Sequence, residues 1–462
     1  MLYIKTCLKL GLGVLITCTF AQSSKAQSLS FTEAYNQMYN ENSTLKAVNK
    51  QTEMKEYMAK SFKGLRYPSI NAYALGVAFD RSLGIDLNNL RNGTASLLQL
   101  PDPNALGNWS VPITKKEMAF AGFNALWPIF TGGKIDAAVK AGSIETEISK
   151  KDIESTQNRL ITELAERYFQ VKLADEALLV RRQVLAGMEK HLYDATKLEE
   201  NGIIAPVEKL LADVAVSEAN REVLAAEKNA QLARVALANT LEANKVNEQL
   251  TTDFFMAVDL KSMEYYKENA IKNYPELQKV TLQKQLADQG VKLKQSIYYP
   301  DVLAFGQTVL LHNEPIGLGL LDKSNQRPWV VGVGLTYNIF QGFKGQNELK
   351  AAKATRESID LLESKAQKDV ATLVEKIYNE LQKSEEEIAN LAVQQTLATE
   401  LLRVRNKAFA EGFATTTDVV DAENNLSVVK LLILNAKFAY TVSLAALLEF
   451  SGESKEFLKY TN

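Results

Sequence analysis

Two aspartates, Asp418 and Asp421, stand three residues apart in "DVVDAENNL" (418–426). On a helix that spacing places both carboxylates on one face. Such a pair could draw cations. It could also cap the helix, because Thr415 stands three residues before Asp418 and a carboxylate at a helix start meets the favourable end of the helix dipole. Both readings stay open on spacing alone. Little else in the chain could do chemistry. The histidines are His191, expected on a solvated helix face, and His312, expected in a loop. No HExxH, nucleophile elbow or Cys/His cluster occurs. Lys134 and Lys344 follow glycines in "TGGKI" and "QGFKG", but the spacing and the Ser/Thr of a phosphate loop are missing, so both read as solvated lysines. No enzyme, cofactor or metal site is expected. With 53 basic and 55 acidic residues the net charge is −2, which gives no electrostatic case for a nucleic-acid partner.

The elements that must position these residues begin with a secretory leader. Lys5 and Lys9 precede the apolar run "LGLGVLITCTF", and "SKA" offers a cleavage site after Ala26. Cys7 and Cys18 both lie in residues 1–26, so the expected mature chain carries no cysteine. An alternative reads "LITC" as a lipoprotein box with Cys18 acylated, although Thr17 is larger than the usual Gly or Ala there. No later run of 18 apolar residues predicts a transmembrane helix.

The rest of the chain is written twice. Phe130 and Phe340, Tyr168 and Tyr378, and Gly202 and Gly412 are each separated by 210 residues. Earlier in each half the separation is 232, as for Leu45 and Leu277 and for Pro68 and Pro300. Repeat one therefore carries 22 extra residues between Tyr73 and Trp127. The repeats are expected at 27–242 and 243–451, with a tail at 452–462.

Each repeat has the same order. A helical stretch without Pro or Gly, such as 29–63, ends at a Tyr-Pro pair. Segments alternating with period two follow, predicting strands at about 69–79 and 117–130, then 301–311 and 329–340. Their length, and the aromatic residues Trp127, Trp329 and Tyr337 at their ends, suit strands that cross an outer membrane. At "WPIFTGGK" and "YNIFQGFK", Gly132, Gly133 and Gly342 permit the turn from strand to helix. A helix of about 100 Å follows in each repeat. Its far end turns at Gly202 or Gly412, where glycine can adopt the left-handed conformation that stops a helix. A shorter helix then returns. The returning helix and the one before the strands, stacked end to end, would match the outgoing one.

Four strands cannot close a barrel, and lipid tolerates only closed ones. The chain must therefore oligomerise. The tandem repeat, the Tyr-Pro pairs, the "IF-x-G-x-K" junctions, "NYPEL" (273–277) and "GFATTTDVVDA" (412–422) together resemble the TolC family of outer-membrane efflux channels over the whole mature chain. The resemblance implies a mainly α protomer with four membrane strands and long antiparallel helices. It implies a homotrimer forming a 12-stranded β-barrel continuous with an α-helical tunnel. It also implies docking to a periplasmic adaptor served by an inner-membrane pump of RND, ABC or MFS type, in the outer membrane of a Gram-negative bacterium. By the same resemblance Gly202 and Gly412 face the adaptor, and Asp418 and Asp421, with the counterpart Glu208, line the tunnel constriction. The chain departs from the family's polar latch, with Phe409 in place of a tyrosine and Ala414 in place of an arginine. A structural or adhesive outer-membrane coiled coil is the alternative, and it does not require duplicated strand pairs.

Overall fold

The computed structural model describes residues 28–81, 84–112, 116–257, 259–312 and 329–461. The expected leader, with Cys7 and Cys18, lies outside them. Repeat one supplies β1 (Ser28–Leu29), α1 (Phe31–Glu41), α2 (Ser43–Gly64), β2 (Ser69–Ala78), β3 (Gly84–Asp86), α3 (Asn88–Leu97), β4 (Ser110–Pro112), β5 (Glu117–Thr131), α4 (Lys134–Glu200) and α5 (Pro206–Thr240). Repeat two supplies β6 (Gln249–Leu250), α6 (Met263–Asn273), α7 (Pro275–Gln295), β7 (Asp301–His312), β8 (Trp329–Thr336), α8 (Lys344–Ala410) and α9 (Thr416–Phe450). Between Ala78 and Glu117 lie 38 residues and between His312 and Trp329 lie 16, so the 22 extra residues fall in the first loop. There they build the β3–β4 hairpin and α3.

α4 and α8 have 67 residues each, and α5 and α9 have 35 each. The long helices therefore reach about 100 Å at 1.5 Å per residue. Gly187 does not interrupt α4. The expected single helix over 29–63 is instead broken at Asn42, whose side chain accepts the Leu45 N–H at 3.0 Å and restarts the helix as α2. The counterpart break in repeat two, 232 residues on, uses Tyr274 and Pro275, with proline at the first helical position. An asparagine cap is quieter in sequence than a proline, which is why the first break is not visible there.

Two hydrogen bonds set the shorter helices end to end along α4. Gln37 Nε2 donates to the Leu241 carbonyl at 3.3 Å, and the Ser43 N–H donates to Glu242 Oε1 at 3.1 Å. α2 lies on the half of α4 nearer the strands, through Thr52 and Ser149 hydroxyls 2.8 Å apart and a Lys55–Glu145 pair at 2.9 Å. α5 lies on the other half, through Arg182–Glu227 at 2.7 Å. The main core sits where these pieces meet. Phe31, Tyr168, Phe169 and Phe457 are fully buried there, with ring centroids 5.2 to 6.4 Å apart. The Tyr168 hydroxyl donates to the Leu29 carbonyl at 2.7 Å, and that of Tyr378 donates to the Lys261 carbonyl at 3.3 Å. Donors and acceptors are separated by the same 210 and 232 residues as in sequence, so the repeat is a structural one. α9 is apolar enough for a membrane span, with mean hydropathy 1.7 in its best window, of which 39% is buried; its Tyr440, Leu444, Leu447 and Leu448 lie in this core.

Four strands form one antiparallel sheet in the order β2-β5-β7-β8, while β1 pairs in parallel with β6 and β3 pairs with β4. β8 stops at Thr336, short of the expected 340. His312 is the last residue of β7 rather than a loop residue. Paired residues share a face. One face carries Asn71, Tyr73, Asn124, Gln307 and Thr336, with Gln307 Nε2 donating to the Tyr73 hydroxyl at 3.1 Å. The other carries Ile70, Trp127, Trp329, Val331, Val333 and Leu335. The first also carries Leu126, Leu303, Phe305 and Val330 but is the more polar of the two, and the second suits lipid, with one tryptophan near each rim. In β2 the larger residues Tyr73, Leu75 and Val77 share the polar face, so alternation in size shows the strand but not its side.

Candidate functional site

Two places carry the features singled out by sequence: the strand-to-helix joints and, about 100 Å away along the helices, the hairpin tips. At the first joint Gly132 and Gly133 have φ of 60° and 88°; at the second Gly342 has 60°. Lys134 is not a free solvated lysine, since its Nζ lies 2.7 Å from Asp301 Oδ2 at the start of β7. Lys344 is exposed, with Glu348 only at 3.9 Å.

Both tips close with the same backbone pattern. The Ile203 N–H donates to the Leu198 carbonyl at 2.9 Å and the Gly202 N–H to the Glu199 carbonyl at 2.8 Å. The Phe413 N–H donates to Ala408 at 2.8 Å and the Gly412 N–H to Phe409 at 2.9 Å. This Schellman arrangement requires a left-handed residue, and Gly202 and Gly412 supply it at φ of 72° and 79°.

The returning helices start differently. α5 begins with Pro206 and has no side-chain cap. α9 begins with a capping box: Thr415 Oγ1 accepts the Asp418 N–H at 3.3 Å, and Asp418 Oδ2 accepts the Thr415 N–H at 3.0 Å. Arg405 of α8 adds a 3.2 Å contact to Asp418 Oδ1. The Thr415 hydrogen bonds, with Arg405 behind them, hold the Asp418 carboxyl below its ordinary value. The cap therefore persists above the usual aspartate pKa of about 3.9 and is lost as pH falls through the lower folded value. Asp421 is exposed, and among the described residues no ion pair or hydrogen bond holds it.

Glu208 does something its sequence position did not suggest. Its Oε2 accepts the Thr416 N–H at 2.7 Å, and Thr416 Oγ1 donates to the Glu208 carbonyl at 3.0 Å. The first residues of α5 thus cap α9 and tie the two hairpins together. The signal in sequence was faint: a run of three threonines after the tip, with a partner 208 residues away. Beside this tie Ala195, Ala212, Phe409 and Val419 form an apolar cluster, with Ala414 packed against it. Phe409 and Ala414 are the positions that depart from the polar latch, and here they belong to an apolar clasp. His191 joins it. Expected on a solvated face, it is 5 % exposed, with its ring 4.4 Å from that of Phe409. Burial lowers its pKa, against the pull of Asp194 and Glu208. Farther along α9, burial raises the Glu423 carboxyl, which lies opposite Gly187. No group of three or more metal-ligating side chains occurs among the described residues.

The sequence profile of the outer membrane efflux protein family matches residues 112–242 and 267–453. The chain belongs to this family. Its fold matches CusC at a TM-score of 0.76, with 13% identity over 92% of each chain. It matches the outer membrane protein VceC of Vibrio cholerae at 0.74, with 15% identity over 91% of this chain and 96% of that one. It matches the CmeC outer membrane channel of Campylobacter jejuni at 0.73, with 14% identity over 94% and 90%. No curated protein sequence matches the chain. The protein is an outer-membrane efflux channel of the Gram-negative type with a periplasmic extension. The family consists of ducts rather than enzymes, and its channels are trimeric and work with an adaptor and an inner-membrane pump.

Proposed function

We propose that three copies of this chain form a passive duct with a 12-stranded barrel, whose hairpin tips at Gly202 and Gly412 receive a periplasmic adaptor serving an RND, ABC or MFS pump. The observation that carries this reading is the sheet. Among the described residues its edges, β2 and β8, have no second neighbour, and membrane strands tolerate no open edge. Pairing β2 of one copy with β8 of the next closes it. Exposed apolar stripes support the same assembly, with Val207, Leu210 and Val214 on α5 and Val393, Leu397 and Val404 on α8 at helical spacing.

Within the duct, Asp421 and Asp418 supply the carboxylate ring. Asp421 is the freer of the two, since Asp418 is shared with the cap and Arg405. Glu208 contributes as the tie between hairpins rather than as a lining charge. Planar bilayers test the reading: purified protein gives a long-lived conductance that favours cations, and D418A/D421A loses much of that selectivity. Unchanged selectivity overturns the ring assignment, and absence of conductance overturns the duct.

A further inference from the structure

His191 lies on α4, in the first hairpin, and Phe409 lies on α8, in the second. Their rings, with centroids 4.4 Å apart and planes at 55°, are a contact between the two hairpins. His191 Nε2 is buried and has no hydrogen-bond partner among the described residues. The Phe409 ring it packs on belongs to the apolar cluster with Ala195, Ala212 and Val419. A neutral imidazole fits such a place at modest cost. An imidazolium does not, because a buried charge needs a partner.

The charged groups around it come from each packed element. Asp194 stands one turn away on α4, and Glu208 comes from α5. α8 offers the uncharged Phe409, and its Arg405 is held by Asp418 of α9 at 3.2 Å. Glu208 is therefore the partly buried carboxylate whose charge acts on the ring, and it is already engaged by the Thr416 N–H at 2.7 Å. The same carboxylate cannot serve both fully.

We propose that His191 is a proton-operated coupling between the two hairpins: neutral, it packs on Phe409 and leaves Glu208 on Thr416; protonated, it draws Glu208 away, leaves Phe409, and lets the tips separate. This rests on the reading of the tips as the periplasmic mouth. Histidine is the side chain whose ordinary pKa places its charge change near neutrality. Burial lowers the pKa of this one. The packed state is then fully present above the ordinary histidine value of about 6.5 and weakens as pH falls below it.

Two measurements test the coupling. In the assembled protein, spin labels at Ile203 and Phe413, which are 58% and 83% exposed, report the distance between tips whether or not the channel conducts. Between about pH 7.5 and about pH 5 the distance distribution broadens and shifts outward in the wild type. It stays fixed in H191F, which keeps a ring against Phe409 and cannot titrate, and in H191Q. Conductance in planar bilayers rises several-fold over the same range in the wild type and stays flat in both variants. A wild type whose tips do not move, or an H191F that responds like the wild type, overturns the coupling. D418N/D421N retains the distance response; if it abolishes it, the aspartates and not His191 are the sensor. Loss of all conductance with the distance response intact would count against the duct and leave the coupling standing.

Discussion

The two strand-to-helix joints have nearly the same sequence and backbone but opposite surroundings. At the first, a Cβ added to Gly132 would lie 2.7 Å from the Ser296 carbonyl and 2.8 Å from Tyr299 Cβ, and Lys134 is clamped to Asp301. At the second, a Cβ added to Gly342 would meet nothing within 4 Å among the described residues, and Lys344 reaches toward solvent. Where repeat one has Gly133, repeat two has Phe343, a bulky residue held at φ 61° and 62% exposed. Repetition of a pattern thus preserves the path of the backbone without preserving what packs on it. Joint one lies against β7 in the middle of the sheet, and joint two follows the edge strand β8. In the proposed trimer an edge has its second neighbour on another copy.

Substitutions at the joints and tips can break this comparison. The largest effect is expected for G132A. It combines a left-handed backbone with a clash against backbone atoms and should cost roughly 3 kcal/mol in thermal unfolding of the assembled protein. E208A should follow at about 2 kcal/mol, because it leaves the Thr416 N–H without its acceptor. The counterpart position in repeat two is Asp418, and T415A, which removes the cap there, should cost about 1 kcal/mol. Similar losses for E208A and T415A would deny Glu208 its role between the hairpins. G342A should also cost about 1 kcal/mol, from the backbone alone. A cost equal to that of G132A would show that a neighbouring copy packs on the second joint. F343G should stabilise by about 0.5 kcal/mol. It relieves a left-handed phenylalanine, and the gain is partly offset by the freedom of glycine in the unfolded chain.

The hairpin tips show how unevenly the sequence could be read. Gly202 and Gly412 were legible because a helix stop at a left-handed residue is a local event. The capping box at Thr415 and Asp418 was legible as one of two readings, since both partners lie within four residues. The Glu208–Thr416 tie and the burial of His191 were not, because each depends on which faces of two separate hairpins meet. The break at Asn42 was hidden for a third reason. An asparagine cap stops a helix by one side-chain hydrogen bond and leaves no compositional mark.

By itself the sequence determined the duplication, the alternation of strands and long helices, and the need for more copies. Each follows from periodicity, helix-stopping residues and the requirement that membrane strands close, all of which act over short stretches or over the whole count of strands. The tertiary structure decided which sheet face is the more polar, that Asp418 is shared with a cap while Asp421 has no partner among the described residues, and that Phe409 and Ala414 pack in an apolar cluster. These depend on strand register and on contacts between residues some 200 positions apart, where a shift of one residue would exchange every neighbour.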